Sequence, residues 1–179
     1  TTNATMLLKI DKTPPSATLA VTAGTLNANG WYTSNVTVTT SGSDGISSPV
    51  TCTAPQTFTI NSAGIVVNGS CTNNAGLTTN AAPLTIKIDK TVPNSIITGT
   101  PPALTNGTTA TFSFSSSEVG GTSMCSIDGA TATVCSNTIT YSGLSQGSHT
   151  FTVSVLDPGG NIDPTPANFT WTIDSNAPN

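Results

Sequence analysis

Ile88-Asp89-Lys90-Thr91-Val92-Pro93 is the stretch on which the reading of this chain turns. Related stretches stand at Ile10-Asp11-Lys12-Thr13-Pro14-Pro15 and at Ile173-Asp174-Ser175-Asn176-Ala177-Pro178. Each follows an alternating run: Met6-Leu7-Leu8-Lys9-Ile10, Leu84-Thr85-Ile86-Lys87-Ile88 and Phe169-Thr170-Trp171-Thr172-Ile173. The three aspartates lie 78 and 85 residues apart. A strand, an aspartate and a proline recurring at domain-sized spacing is punctuation between repeated units. Proline has no N–H for a sheet ladder, so it ends the strand and stiffens the exit. The pattern predicts two tandem domains, 14–92 and 93–179. Residues 1–13 precede them as linker plus one extra strand, either the last strand of an earlier unit or one donated to a neighbouring molecule.

The composition agrees with two small β domains. At 179 residues the chain allows about 80 residues per domain, enough for a thin core. Only 7% of residues are charged, the net charge is -4, and the four basic residues are Lys9, Lys12, Lys87 and Lys90. A nucleic-acid partner needs a clustered basic face, which these four do not make. No apolar stretch approaches the roughly 20 residues of a membrane helix. Threonine makes up about a fifth of the chain and alternates with Val, Ile, Phe and Trp. Being β-branched and polar, it suits the wet face of a strand. Clear period-2 runs occur at Val36–Thr39, Thr111–Phe114, Thr150–Val155 and Ala167–Ile173, and a single longer strand is expected over Ile65–Thr72. About seven short strands per unit, separated by turn residues, spell a β-sandwich.

The four cysteines fall two per unit: Cys52 and Cys71, then Cys125 and Cys135. That allocation predicts disulfides and an oxidising, extracellular or cell-surface setting. Four cysteines allow three connectivities; pairing within each unit is preferred because a domain closes on itself. A metal or redox site is disfavoured, since there is no CxxC and only one histidine. Five glycosylation sequons begin at Asn3, Asn35, Asn68, Asn106 and Asn168. A chain this rich in Asn, Ser and Thr produces about that many by chance, so they permit glycans without indicating them.

The chain resembles the bacterial immunoglobulin-like (Big-type) repeats of large surface and secreted proteins. The resemblance rests on the Ile-Asp-Lys-Thr-Pro-Pro linker, Gly30-Trp31-Tyr32-Thr33, Cys125-Ser126-Ile127-Asp128-Gly129, Leu144 to Phe151, Pro166 to Asp174, and Asp157-Pro158-Gly159-Gly160-Asn161. The last is similar to the family's Asp-x-Ala-Gly-Asn turn. Asn73-Asn74-Ala75-Gly76-Leu77 departs from that turn, lacking its first Asp and final Asn. The resemblance implies an array of immunoglobulin-like modules on a cell surface. It places Cys52 and Cys71 on neighbouring strands of one sheet.

It also places the linker near two loops at one pole of each sandwich. Asp89, Glu118, Asp157 and Asn161 then form a calcium candidate in the second unit, and Asp11, Asp44 and Asn73 one in the first. Calcium takes six to eight oxygens, and carboxylates with turn carbonyls supply them. The competing reading is that these Asp and Asn cap turns by bonding local backbone. An intramolecular Lys–Asn isopeptide is disfavoured, because all four lysines lie in or beside the linkers. His149 is read as structural and Trp171 as core, while Trp31-Tyr32 is packing or a surface contact. The function expected is mechanical: a stalk or filament module, not an enzyme, whose partners are further copies or neighbouring repeats of the same protein. The alternative is an adhesin module that binds a carbohydrate or protein receptor.

Overall fold

The computed structural model describes residues 9–175. The chain divides into two compact units between Asp89 and Lys90. The extra strand expected over residues 1–10 lies largely outside the described residues, and residues 9–17 carry no strand.

The first unit holds β1 (Thr18–Ala23), β2 (Val36–Ser41), β3 (Thr51–Cys52), β4 (Gln56–Phe58), β5 (Ser62–Val67), β6 (Ser70–Thr72), β7 (Thr78–Asn80) and β8 (Leu84–Ile88). They form three sheets, β1-β2-β4, β3-β6-β7 and β5-β8. Alternation along β2 turns Val36 and Val38 inward, where they meet Val67, Ile86 and Ile88 in an aliphatic centre against which Tyr32 and Phe58 pack. Removing each such side chain from water contributes about 1.5–3 kcal/mol.

The single strand expected over Ile65–Thr72 is two. β5 pairs with β8, whereas β6 pairs with β3 and β7, so the chain changes sheet at Asn68-Gly69. Gly69 is needed there because a Cβ would stand 2.3 Å from Thr40 Oγ1. The last strand, Leu84–Ile88, is preceded by β7, whose three polar residues show no apolar alternation.

The second unit holds β9 (Ser95–Gly99), β10 (Leu104–Thr105), β11 (Ala110–Ser116), β12 (Thr122–Ile127), β13 (Thr133–Val134), β14 (Thr138–Tyr141), β15 (Gly147–Leu156) and β16 (Ala167–Ile173). A five-stranded sheet, β10-β16-β15-β12-β13, faces a three-stranded one, β14-β11-β9. Between them, Phe112 and Phe114 of β11 meet Phe151 and Val153 of β15 and Trp171 and Ile173 of β16. The Phe112 and Phe151 rings stack with centroids 4.1 Å apart.

Both units carry a short parallel partner on their last strand. β10 pairs parallel to β16, and Tyr32 bridges parallel to Ile88. Neither was foreseen, since a two-residue strand shows no periodicity. The chain is all-β, and each unit is an immunoglobulin-like β-sandwich.

Candidate functional site

Each unit has the same five-residue turn at one pole. In the first, Asn73 N donates to Leu77 O (3.0 Å) and Gly76 N to Asn73 O (3.0 Å). In the second, Asp157 N donates to Asn161 O (3.0 Å) and Gly160 N to Asp157 O (3.1 Å). Gly76 and Gly160 hold φ of +82° and +87°, a conformation that costs glycine little. The leading side chain caps the turn through Oδ1, accepting from Leu77 N at 2.9 Å or from Asn161 N at 2.7 Å. The other δ atom differs: nitrogen in Asn73, oxygen in Asp157.

In the first unit the Asn73 amide gathers the expected residues. Its Nδ2 donates to Asp11 Oδ2 (3.0 Å), Asp44 Oδ2 (2.9 Å) and Thr13 O (3.1 Å). Two carboxylates and a carbonyl thus surround an N–H donor. Asp44 Oδ1 accepts from Ile46 N and Ser47 N, each at 2.8 Å, and Asp11 Oδ1 from Thr13 N at 2.8 Å. The Asn73 amide, followed by the Ser47 and Ile46 N–H groups, holds the Asp44 carboxyl below its ordinary value.

In the second unit, Glu118 and Asp157 offer carboxylate oxygens within 4.8 Å of one another. Asp157 is buried, and its Oδ2 accepts from Asn161 Nδ2 at 2.9 Å. Oxygen donors of this kind suit hard cations. Asp89 closes the first unit: its N–H donates to Tyr32 O (2.9 Å), and its Oδ1 accepts from Asn61 Nδ2 (3.0 Å).

The cysteines close as Cys52–Cys71 and Cys125–Cys135, each within one unit. Cys52 stands directly opposite Cys71 in the β3–β6 register. Asn35, Asn68, Asn106 and Asn168 are exposed, and Asn3 lies outside the described residues. All four lysines are exposed. Trp171 is in the core, while Trp31 is half-buried with Lys87 Nζ 5.6 Å from its ring centroid.

Two polar clusters built on buried side chains, one on Asp163 with Ser95 and one on His149, were missed in the sequence. Asp163 Oδ2 accepts from Ser95 N (2.8 Å) and from the Ser95 hydroxyl, which also faces Val153 O (2.8 Å). Burial pushes the Asp163 carboxyl up, but bonds from Ser95 and Thr165 outweigh it and leave the carboxyl below its ordinary value. The other cluster joins His149, Asp128 and Ser145. Neither cluster has a sequence motif, because its members meet only through strand register.

Three open clefts lie on the surface. One of about 550 Å³ is lined by Thr53, Asn68, Gly69, Ser70, Asn80, Ala81 and Pro83. One of about 410 Å³ lies between β9 and the start of β16. One of about 330 Å³ is apolar, lined by Met124, Ala132, Ser154, Val155, Leu156 and Ile162. None of the three is lined by Asp, Glu, His, Lys or Cys.

No protein-family model matches the chain, and no curated protein matches it. Among solved structures it is similar to the fibronectin(III)-like modules of CbhA from Clostridium thermocellum. The identity is 11%, the TM-score 0.42, and the match covers 87% of this chain and 93% of that one. It is also similar to murine CEACAM1b, at 9% identity and TM-score 0.41, covering 89% and 99% of the two chains. A third match is the extracellular domain of BT4673 from B. thetaiotaomicron, at 11% identity and TM-score 0.41, covering 86% of this chain and 31% of that one. Likeness at this level says nothing of function.

Proposed function

We propose that this chain is a structural module of a cell-surface or secreted protein, extending or assembling a stalk or filament. The observation that carries the reading is the make-up of the outward faces, which are built from paired hydroxyls. Thr18 pairs with Ser41 (3.1 Å), Thr22 with Thr39 (2.9 Å) and Thr37 with Thr57 (3.1 Å) in the first unit. Thr111 pairs with Thr140 (2.9 Å), Ser113 with Thr138 (3.4 Å) and Thr150 with Thr170 (3.0 Å) in the second. Hydroxyls that bond each other across strands are cheaper to cover than charges, which lose far more hydration. A surface with so few charges therefore suits close packing against further copies or neighbouring repeats. Two disulfides with no free cysteine fit an oxidising, extracellular setting.

The test is negative-stain electron microscopy and sedimentation of the full chain at rising concentration, beside a glycan and receptor panel. Ordered filaments, or monodisperse particles inert to the panel, are expected. Saturable binding to a panel member, lost in Trp31→Ala, would overturn the structural reading in favour of an adhesin.

A further inference from the structure

The second unit carries one cation-forming side chain inside its sandwich. His149 heads the inward row of β15, ahead of Phe151, Val153 and Val155, and is only 6% exposed. Its Nε2 lies 2.8 Å from Ser145 O, a carbonyl that can only accept, so Nε2 bears a hydrogen. Its Nδ1 lies 2.7 Å from Asp128 Oδ2, a carboxylate that also accepts. A ring that serves both partners needs a hydrogen on each nitrogen, which makes it imidazolium. Neutral imidazole has one N–H and must abandon one partner.

The surroundings are few. From the β12–β13 turn comes Asp128, at φ +52°, whose Oδ1 also accepts Thr150 N at 2.8 Å. From the β14–β15 loop comes the Ser145 carbonyl, and from β16 comes Trp171, its ring centroid 5.4 Å from the imidazole. Tyr141 borders the same core, and burial raises its pKa, which keeps it neutral. Asp174 follows β16 at this pole. Glu118, Asp157 and Asp163 gather at the far end of β15, about 20 Å away at the rise of a strand. Lys90 is the only lysine of the second unit and is exposed.

We propose that His149 is a proton-operated clasp. With both ring nitrogens protonated, it ties the β14–β15 loop and the β12–β13 hairpin tip to the sandwich; with one proton lost, it releases one of them and loosens the Trp171 end of the core. The Ser145 carbonyl, followed by the Asp128 carboxylate, holds the His149 pKa above its ordinary value against the opposing effect of burial. A raised pKa gives a contribution that is complete below the ordinary imidazole value. It is lost as pH rises through the raised one. The clasp is therefore shut in acid and opens on the alkaline side of the ordinary imidazole range.

The experiment uses the full chain carrying Trp31→Phe, which leaves Trp171 as the sole tryptophan. Trp171 fluorescence is followed against pH, with hydrogen exchange at residues 144–147 corrected for the intrinsic effect of pH. The expected result is one fluorescence step with its midpoint above the ordinary imidazole value, and faster loop exchange on the alkaline side. His149→Gln abolishes the step, and Asp128→Asn lowers its midpoint. A midpoint at or below the ordinary value, a step that survives His149→Gln, or unchanged loop exchange overturns the clasp. If His149→Gln does not fold, Asp128→Asn decides, and an unmoved midpoint is then the overturning result.

Discussion

The two units dress their outer faces alike and fill their interiors differently. Cross-strand hydroxyl pairs cover both. Inside, the first unit buries Val36, Val38, Val67, Ile86 and Ile88. The second buries Phe112, Phe114, Phe151 and Trp171 among its core residues, with Phe112 touching three other rings. Alternation with threonine is therefore enough to shape a sheet, and what the inward row contains decides how firmly the sandwich holds. The first unit, with its thinner core, depends more on the disulfide that joins β3 to β6. The poles diverge too: an amide stands in Asn73 where a carboxylate stands in Asp157.

The largest break in this comparison is Phe112→Ala. It removes the ring that stacks on Phe151 and meets Trp171, and should destabilise the second unit by about 3–5 kcal/mol. Urea unfolding followed by tryptophan fluorescence, with Trp31 reporting on one unit and Trp171 on the other, measures it. The second transition should move while the first stays. A single shared transition that shifts as a whole would mean that the units do not stand on separate cores.

Next come the disulfides. Loop-closure entropy predicts about 3 kcal/mol for either. The first spans 19 residues and the second 10, so losing Cys52–Cys71 should cost about 0.5 kcal/mol more. Set against a core whose buried centre is aliphatic, that loss is also the larger share of the unit's stability. Melting of Cys52→Ala/Cys71→Ala beside Cys125→Ala/Cys135→Ala gives the ranking. An equal or reversed order would show that the first core is stronger than its contents suggest.

Much of this was legible beforehand, and the failures have a common cause. Val36-Thr37-Val38-Thr39 and Thr111-Phe112-Ser113-Phe114 announce strands because their alternation is local. The pairing of Cys52 with Cys71 followed from their allocation and from the family resemblance. The split at Asn68-Gly69 stayed hidden, since it depends on how closely Thr40 approaches from another strand. So did β10, whose partner lies more than sixty residues on. The Asp11, Asp44 and Asn73 grouping was foreseen as a set of oxygens around a cation. What the residue names did not reveal was that the Asn73 amide would turn inward and supply the donors itself. His149 looked like a quiet strand residue because Asp128 sits 21 positions away and meets it only through the β12–β15 register.

The poles can be exchanged by mutation. Asn73→Asp replaces a buried donor with a charge facing two carboxylates, and should cost the first unit about 1–3 kcal/mol in chelator, as for a buried group stripped of its partner. Added calcium should recover part of that loss, because the site then offers only oxygens. If the second pole takes up a cation, Asp157→Asn should remove any response of that unit to chelator. Melting each variant with and without chelator measures both. If Asn73→Asp melts unchanged in chelator, the amide is not what holds the first pole together.

The smallest effect concerns what the units share. Thr150→Val and Thr170→Val keep the β-branched shape and remove a hydroxyl pair on the outer face of the second unit. Cross-strand pairs of this kind couple by about 0.2–1 kcal/mol, so a double-mutant cycle should place the coupling near the lower end. Valine also fits a strand as well as threonine does, so each single variant should stay within about 0.5 kcal/mol of the parent. Small values would separate the two jobs of the chain. The inward rows would carry stability, and the outward hydroxyls would be there for what covers them. Self-association should then change in Thr150→Val/Thr170→Val while the melting curve barely moves. A pair that proved to contribute several kcal/mol would instead make the hydroxyl faces part of the fold's own stability, and would remove the main physical support for reading them as packing surfaces.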